Sequence, residues 1–145
     1  MKLRATLILA ATVVIASGCG NHDDTAFRAA QEECYKKDAL DSKRLAAEVG
    51  PLLTPDVRST LAESSACDSE PEGGASIAYD LDPAVPPNQT VERFRSAGWG
   101  DLPLPSASCS DCVARVGKKA GGRSIEVMVH DSDYGIFMLE ASFYE

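Results

Sequence analysis

The stretch CVARVGKKAGGRSIEVMVHDSDYGIFMLEASFY (112–144) decides the fold class. Its middle segment, Ser124–His130, alternates Ile125, Val127 and Val129 with Glu126, Met128 and His130. A period of two with one apolar face is the pattern of a half-buried strand. Gly135–Tyr144 repeats it, with Phe137, Leu139, Ala141 and Phe143 on one side. Cys112–Lys118 reads as a third, shorter strand. The turn compositions between them are Lys119-Ala120-Gly121-Gly122 and Asp131-Ser132-Asp133. The spacing predicts a three-stranded antiparallel meander with one face left to solvent.

Upstream, Gly100 to Ser108 reads as irregular, with prolines at 103 and 105. Before it, Gln89–Ala97 reads as a helix, with Asn88 or Thr90 as its cap. Asn88-Gln89-Thr90 also matches the N-glycosylation sequon, which is read here as the cap. Val91 and Phe94 share one side of that helix. Gly98 is placed to end it, and Trp99 to fold back as the apolar contact that follows such an ending. Ala75–Asp82 is a strand with Ile77, Tyr79 and Leu81 on its apolar face. Asp68 to Gly74 has turn composition throughout. Leu52 to Ala66 allows two readings. Thr54-Pro55-Asp56 looks like a helix start, whereas a strand over Val57–Ala66 supplies a hairpin partner for 75–82. The strand is preferred. From Ala26 the pattern is helical, with Ala26, Ala29, Ala30, Cys34, Leu45, Ala46 and Val49 at three- and four-residue steps. Phe27 and Tyr35 flank that face. Asp38, Asp41 and Ser42 are candidate breaks, and Gly50-Pro51 a stop. Helix, hairpin, helix and meander together give an α+β two-layer sandwich on a mostly antiparallel sheet of about five strands.

The chain's start carries a different message. Lys2 and Arg4 precede an uncharged run from Ala5 to Ala16. That run is too short to span a ~30 Å hydrocarbon core and fits a secretory signal peptide. Ala16-Ser17-Gly18-Cys19 resembles the lipobox of bacterial lipoproteins, with Ala where Leu is usual. The resemblance implies cleavage after Gly18 and a diacylglyceryl thioether, with palmitate-type acylation, on Cys19. Two acyl chains hold a protein on a bilayer where one does not. The expected organisation is a signal peptide at 1–18, a lipidated tether at 19–25 and a single α+β domain at 26–145. The expected location is the outer face of the cell membrane.

Without residues 1–18 the chain has 127 residues, with 12 basic and 22 acidic side chains and a net charge of −10. That is enough length for one domain with a real core. An acidic balance argues against nucleic acid as a partner. The partners implied are the membrane, through the anchor, and an envelope protein.

Beyond Cys19, four cysteines remain, Cys34, Cys67, Cys109 and Cys112, an even number for an oxidising compartment. They allow three pairings. Cys67-Asp68-Ser69, a strand holding Tyr79, a helix ending Gly98-Trp99 and a cysteine opening a strand resemble small lipoproteins of high-GC Gram-positive (actinobacterial) type. The likeness covers residues 57–143 and implies fold and location, not chemistry. It implies a bridge from Cys67 to the cysteine that follows Gly98-Trp99. On that reading Cys67 pairs with Cys112 and Cys34 with Cys109, tying helix, hairpin and meander together.

Cys109-Ser110-Asp111-Cys112 is also a CxxC. As a redox pair it needs a stabilised thiolate. Asp111 between the thiols opposes one, and a strand follows where a helix N-terminus would help. Two cysteines at this spacing are half a zinc site. The other half would come from Cys34, Cys67, His22 or His130, and an oxidising compartment disfavours it. No metal and no cofactor are therefore expected. His130-Asp131-Ser132-Asp133 holds triad residue types, but contiguous turn residues cannot converge as a triad does. Asp80 and Asp82 read as solvated strand-end carboxylates. The expected function is a non-enzymatic binding or accessory domain at the cell envelope. The alternative is a membrane-anchored thiol–disulfide oxidoreductase using Cys109 and Cys112.

Overall fold

The computed structural model describes residues 22–53, 57–70, 72–105, 109–131 and 137–144. The lipobox, Gly18, Cys19, the Thr54-Pro55-Asp56 start and Ser132, Asp133 and Tyr134 lie outside the described residues. The elements are α1 (His22–Leu53), β1 (Val57–Ser65), β2 (Ala75–Leu81), α2 (Pro87–Ser96), β3 (Gly100–Asp101), β4 (Cys112–Ala120), β5 (Arg123–Asp131) and β6 (Phe137–Tyr144).

The meander forms as its alternation requires. Ile125, Val127, Val129, Leu139 and Ala141 are buried on one face of β5 and β6. The β4–β5 turn is tighter than the composition suggested. Ala120 pairs with Arg123, so Gly121-Gly122 alone make the turn, at φ 59° and 82°. Two positive φ values suit the twist of a two-residue hairpin.

All six strands join one antiparallel sheet in the order β1-β2-β6-β5-β4-β3. The β1–β2 hairpin docks on the meander through β2 and β6, with Tyr79 opposite Leu139. β3 is a correction to the irregular reading of 100–108. Gly100 and Asp101 pair with Gly117 and Val116, which gives a sixth, short edge strand. Short edges of this kind limit unwanted pairing with other chains.

Both helices cover the same face of the sheet. α1 packs on β1, β2 and β6, and α2 on β4 and α1. The core between the layers holds Leu45, Val49 and Leu53 of α1, Val91 and Phe94 of α2, and Ile77, Tyr79 and Leu81 of β2. Burial, helped by the charge of Glu63, pushes the Tyr79 phenol above its ordinary value. The other face of the sheet carries Ser76, Ser142, Glu126, Glu140 and Arg115, with Arg115 paired to Glu126.

α1 departs from its expected shape in four ways. It begins at His22, so the tether expected over 19–25 is helical in its second half. It runs without a break through Asp38, Asp41 and Ser42. These three residues are buried rather than helix-breaking. Asp41 is held by Arg123 Nη1 at 2.6 Å, which tethers the helix to the start of β5. Gly50-Pro51 does not stop the helix, because a last turn through Pro51 delivers Leu53 to the core. Finally, Ala26, Ala29 and Ala30 are exposed, as are Phe27 and Tyr35. The buried stripe starts only at Cys34, because the first turns of α1 reach beyond what the sheet covers.

α2 starts two to four residues earlier than the cap readings implied. Pro86 is the N-cap residue and Pro87 follows at N1, where a missing N–H costs nothing. No side chain caps it, and Thr90 is buried inside the helix. The C-terminal end follows expectation. Gly98 has φ 84°. Its N–H donates to the Arg95 carbonyl at 2.9 Å and the Trp99 N–H to the Phe94 carbonyl at 3.1 Å. This is the Schellman pattern, closed by Trp99 packing edge-on against Phe94 with centroids 5.1 Å apart. Replacing Gly98 by Ala meets open space, so only the positive φ opposes it. The expected cost is about 1 kcal/mol, read from urea denaturation at unchanged m.

Candidate functional site

The four cysteines form two bridges, Cys34–Cys67 and Cys109–Cys112. This corrects the expected Cys67–Cys112 and Cys34–Cys109 pairs. Cys34 sits on the inward face of α1, over the loop that follows β1. Cys67 is the second residue of that loop, and the two Cα atoms are 5.9 Å apart. Cys109 and Cys112 lie at the far end of β4, so neither reaches the helix.

The two bridges differ in surroundings. Cys34 and Cys67 are each 8% exposed and close over Asp38, which is 2% exposed. Asp38 Oδ2 accepts from Ser65 Oγ at 2.6 Å and from the Gly74 N–H at 3.0 Å, and lies 3.2 Å from Cys67 Sγ. Asp38 Oδ1 has no hydrogen bond among the described residues. Gly73 presses on the group so closely that an added Cβ would meet Cys34 Sγ at 2.6 Å and both Asp38 oxygens at 2.9 Å. Asp68, next in the chain, accepts from Tyr35 Oη and Gln31 Nε2 of α1. The Asp68 carboxylate holds the Tyr35 phenol above its ordinary value. This is a close-packed clamp between helix and hairpin.

The Cys109–Cys112 bridge is half-exposed, with Ser110 and Asp111 exposed between its ends. Its position follows from strand register. Counting back from the Gly121-Gly122 turn, Ala114 pairs with Val129. A regular ladder would next set Val113 against His130. A bulge between Cys112 and Ala114 sets Cys112 there instead and leaves Val113 pointing to solvent. One extra residue in a strand re-aims the side chains beyond it. The Asp131 N–H donates to the Asp111 carbonyl at 2.8 Å and fixes the CxxC loop over the end of β5.

His130 is the residue this loop covers. It is 9% exposed, on the sheet face opposite Val129. Its Nδ1 lies 3.4 Å from Cys109 Sγ and 3.6 Å from Cys112 Sγ. Asp111 Oδ2 is 3.5 Å from the same nitrogen, and Asp111 Oδ1 is 3.3 Å from Cys109 Sγ. Nε2 is buried with no hydrogen-bond partner among the described residues. Two sulfurs, an imidazole nitrogen and a carboxylate therefore converge at one surface-accessible point. A ring N–H in this position can donate to a sulfur and hold negative charge on it. That supplies locally what a helix N-terminus supplies elsewhere.

Sequence reasoning named all four groups but did not bring them together. In the sequence, Asp111 reads as a charge opposing the thiolates, and His130 as one of several zinc donors and as part of a contiguous polar turn. The signal that joins them is the register set by Gly121-Gly122, modified by the bulge. Asp82 serves its own turn, accepting from the Ala84 N–H at 2.9 Å. Phe94 and Trp99 belong to the core, and Tyr144 lies beside Arg115, 5.8 Å from ring centroid to guanidinium.

No known protein family, curated protein or solved structure matches this chain. Among the described residues, no helix is long and apolar enough to cross a membrane.

Proposed function

We propose that this protein is a lipid-anchored extracytoplasmic domain whose working group is the Cys109–Cys112 disulfide, exchanging with thiols at the membrane's outer face. One observation carries the reading. His130 Nδ1 sits within 3.6 Å of both sulfurs of a half-exposed pair. A staple needs no such neighbour. A bridge across three residues also stabilises little, because the unfolded loop it closes is already short. The chemistry is ordinary exchange. A substrate thiolate attacks one sulfur, the Cys109–Cys112 bond breaks, and a mixed disulfide forms. The departing cysteine leaves as a thiolate beside His130, which can give it a proton. The substrate's second thiol then displaces the remaining cysteine. A dithiol is oxidised to a disulfide, and the protein gains two electrons and two protons.

A pure binding or accessory role, with the anchor at Cys19 and an envelope protein as partner, is the second reading. The scattered exposed side chains Phe27, Leu40, Leu104 and Val113 favour it.

The test is graded reduction in glutathione buffers, with alkylation and peptide mass mapping. Cys109–Cys112 is expected to open at potentials above about −300 mV, where structural bridges such as Cys34–Cys67 stay closed. The double variant Cys109→Ala/Cys112→Ala should oxidise no dithiol peptide and lose at most about 2 kcal/mol of stability. Equal resistance of both bridges would leave the accessory role standing and sink the exchange reading.

A further inference from the structure

The geometry points to a second state of the same four groups. We infer that, once its disulfide is reduced, the Cys109/Asp111/Cys112/His130 cluster is a tetrahedral site for zinc(II). The inference needs only reduced thiols, whatever their exchange activity.

Zinc takes sulfur at about 2.3 Å and imidazole nitrogen at about 2.0–2.1 Å, with tetrahedral angles. Those lengths set each nitrogen–sulfur edge of the tetrahedron at about 3.5 Å. The structure already holds His130 Nδ1 3.4 Å and 3.6 Å from the two sulfurs. An oxygen ligand at about 2.0–2.2 Å calls for edges of about 3.3–3.6 Å to nitrogen and to sulfur. Asp111 meets these with its two oxygens, Oδ2 at 3.5 Å from the nitrogen and Oδ1 at 3.3 Å from Cys109 Sγ. One edge has to open. The sulfurs are bonded, and they must part to about 3.8 Å to share an ion. Breaking that bond is what reduction does.

The stoichiometry closes. A dithiol reductant gives two electrons and two protons to the Cys109–Cys112 bond and leaves as its own disulfide. Zinc then binds both sulfurs, and two protons are released. Two thiolates and one carboxylate leave the centre with one net negative charge. The mix of sulfur, nitrogen and oxygen donors suits zinc better than calcium or magnesium, which take oxygen ligands. The cluster is also reachable, since its cysteines are half-exposed and Asp111 is exposed. The other cysteine group, Cys34/Asp38/Cys67, is buried, and Gly73 stands against Cys34 and Asp38.

The test uses the full chain reduced with a phosphine, with complete reduction confirmed by alkylation mass, and cobalt(II) as the spectroscopic probe. One cobalt per chain is expected, with thiolate charge-transfer absorption and the intense visible bands of tetrahedral geometry, all displaced by zinc. The spectrum should survive Cys34→Ala/Cys67→Ala and vanish in Cys109→Ala/Cys112→Ala. His130→Gln should weaken zinc by more than the roughly 10–100-fold that loss of an outer-shell partner costs. A weak octahedral spectrum, or one indifferent to Cys109, Cys112 and His130, overturns the site. Because the thiols are reduced beforehand, this outcome is separate from the glutathione titration. A bridge too stable to exchange can still yield the metal site, and an exchanging bridge can fail to yield it.

Discussion

Replacing Cys34 and Cys67 together by Ala lowers the unfolding free energy by about 3–4 kcal/mol. The bridge spans a sequence separation of 33 residues, and chain entropy on closing a loop of that length accounts for the figure. A domain of this size should lose on the order of 10 °C in melting temperature. The same substitution at Cys109 and Cys112, which are three residues apart, releases a far shorter loop and costs at most about 2 kcal/mol. Urea denaturation of both double variants checks the pair. The unequal costs are what separate a staple from a working disulfide. Equal losses would mean that the CxxC bridge also holds tertiary structure, and its functional reading would weaken. The clamp around Asp38 adds to the first cost. Without the bridge, water reaches a carboxylate whose hydrogen bonds to Ser65 and Gly74 hold the loop between β1 and β2 against α1.

Replacing Phe94 by Ala should cost about 3–5 kcal/mol, as emptying an aromatic site in a packed core does. Phe94 is fully buried between α2 and the sheet. It is also the C3 residue whose carbonyl accepts the Trp99 N–H and whose ring meets the indole. The substitution therefore opens a cavity and unfastens the helix end together. A cycle with Trp99→Ala should show coupling of about 0.5–1.5 kcal/mol, the range for edge-to-face aromatic pairs. Trp99→Phe should cost much less, since it also removes a buried Nε1–H that has no acceptor among the described residues. If Phe94→Ala and Trp99→Ala add without coupling, the ring contact contributes only burial.

Much of this architecture was legible because it depends on local rules. Alternation of Ile125, Val127 and Val129 needs only a sheet with one covered face. Gly98 at the end of α2 needs only a positive φ, and Trp99 follows from the same motif. The preferred strand at 57–66 formed as β1, over Val57–Ser65, because it pairs with the clear strand β2 along its length, with two register shifts. Local rules failed at α1. Alanine periodicity marked an inward face that has nothing to cover it before Cys34, and helix-breaking side chains at 38–42 are retained in the helix by partners distant in sequence. Asp38 Oδ2 accepts from Ser65 and Gly74, and Asp41 is held by Arg123.

By itself, the sequence determined the fold class, the strand alternation, the second helix with its glycine ending, and the residue types available for chemistry. These follow from backbone preferences and from hydrophobic periods, which act over a few neighbours. The tertiary structure decided which strand lies beside which, which cysteines meet, and that His130 lies against the CxxC. Disulfide partners depend on distances between elements far apart in the chain, where several pairings satisfy the same composition. The His130 contact depends on one bulged residue before Ala114. A single-residue shift of register moves a side chain to the opposite face of a sheet, and no local preference in Cys112-Val113-Ala114 announces it.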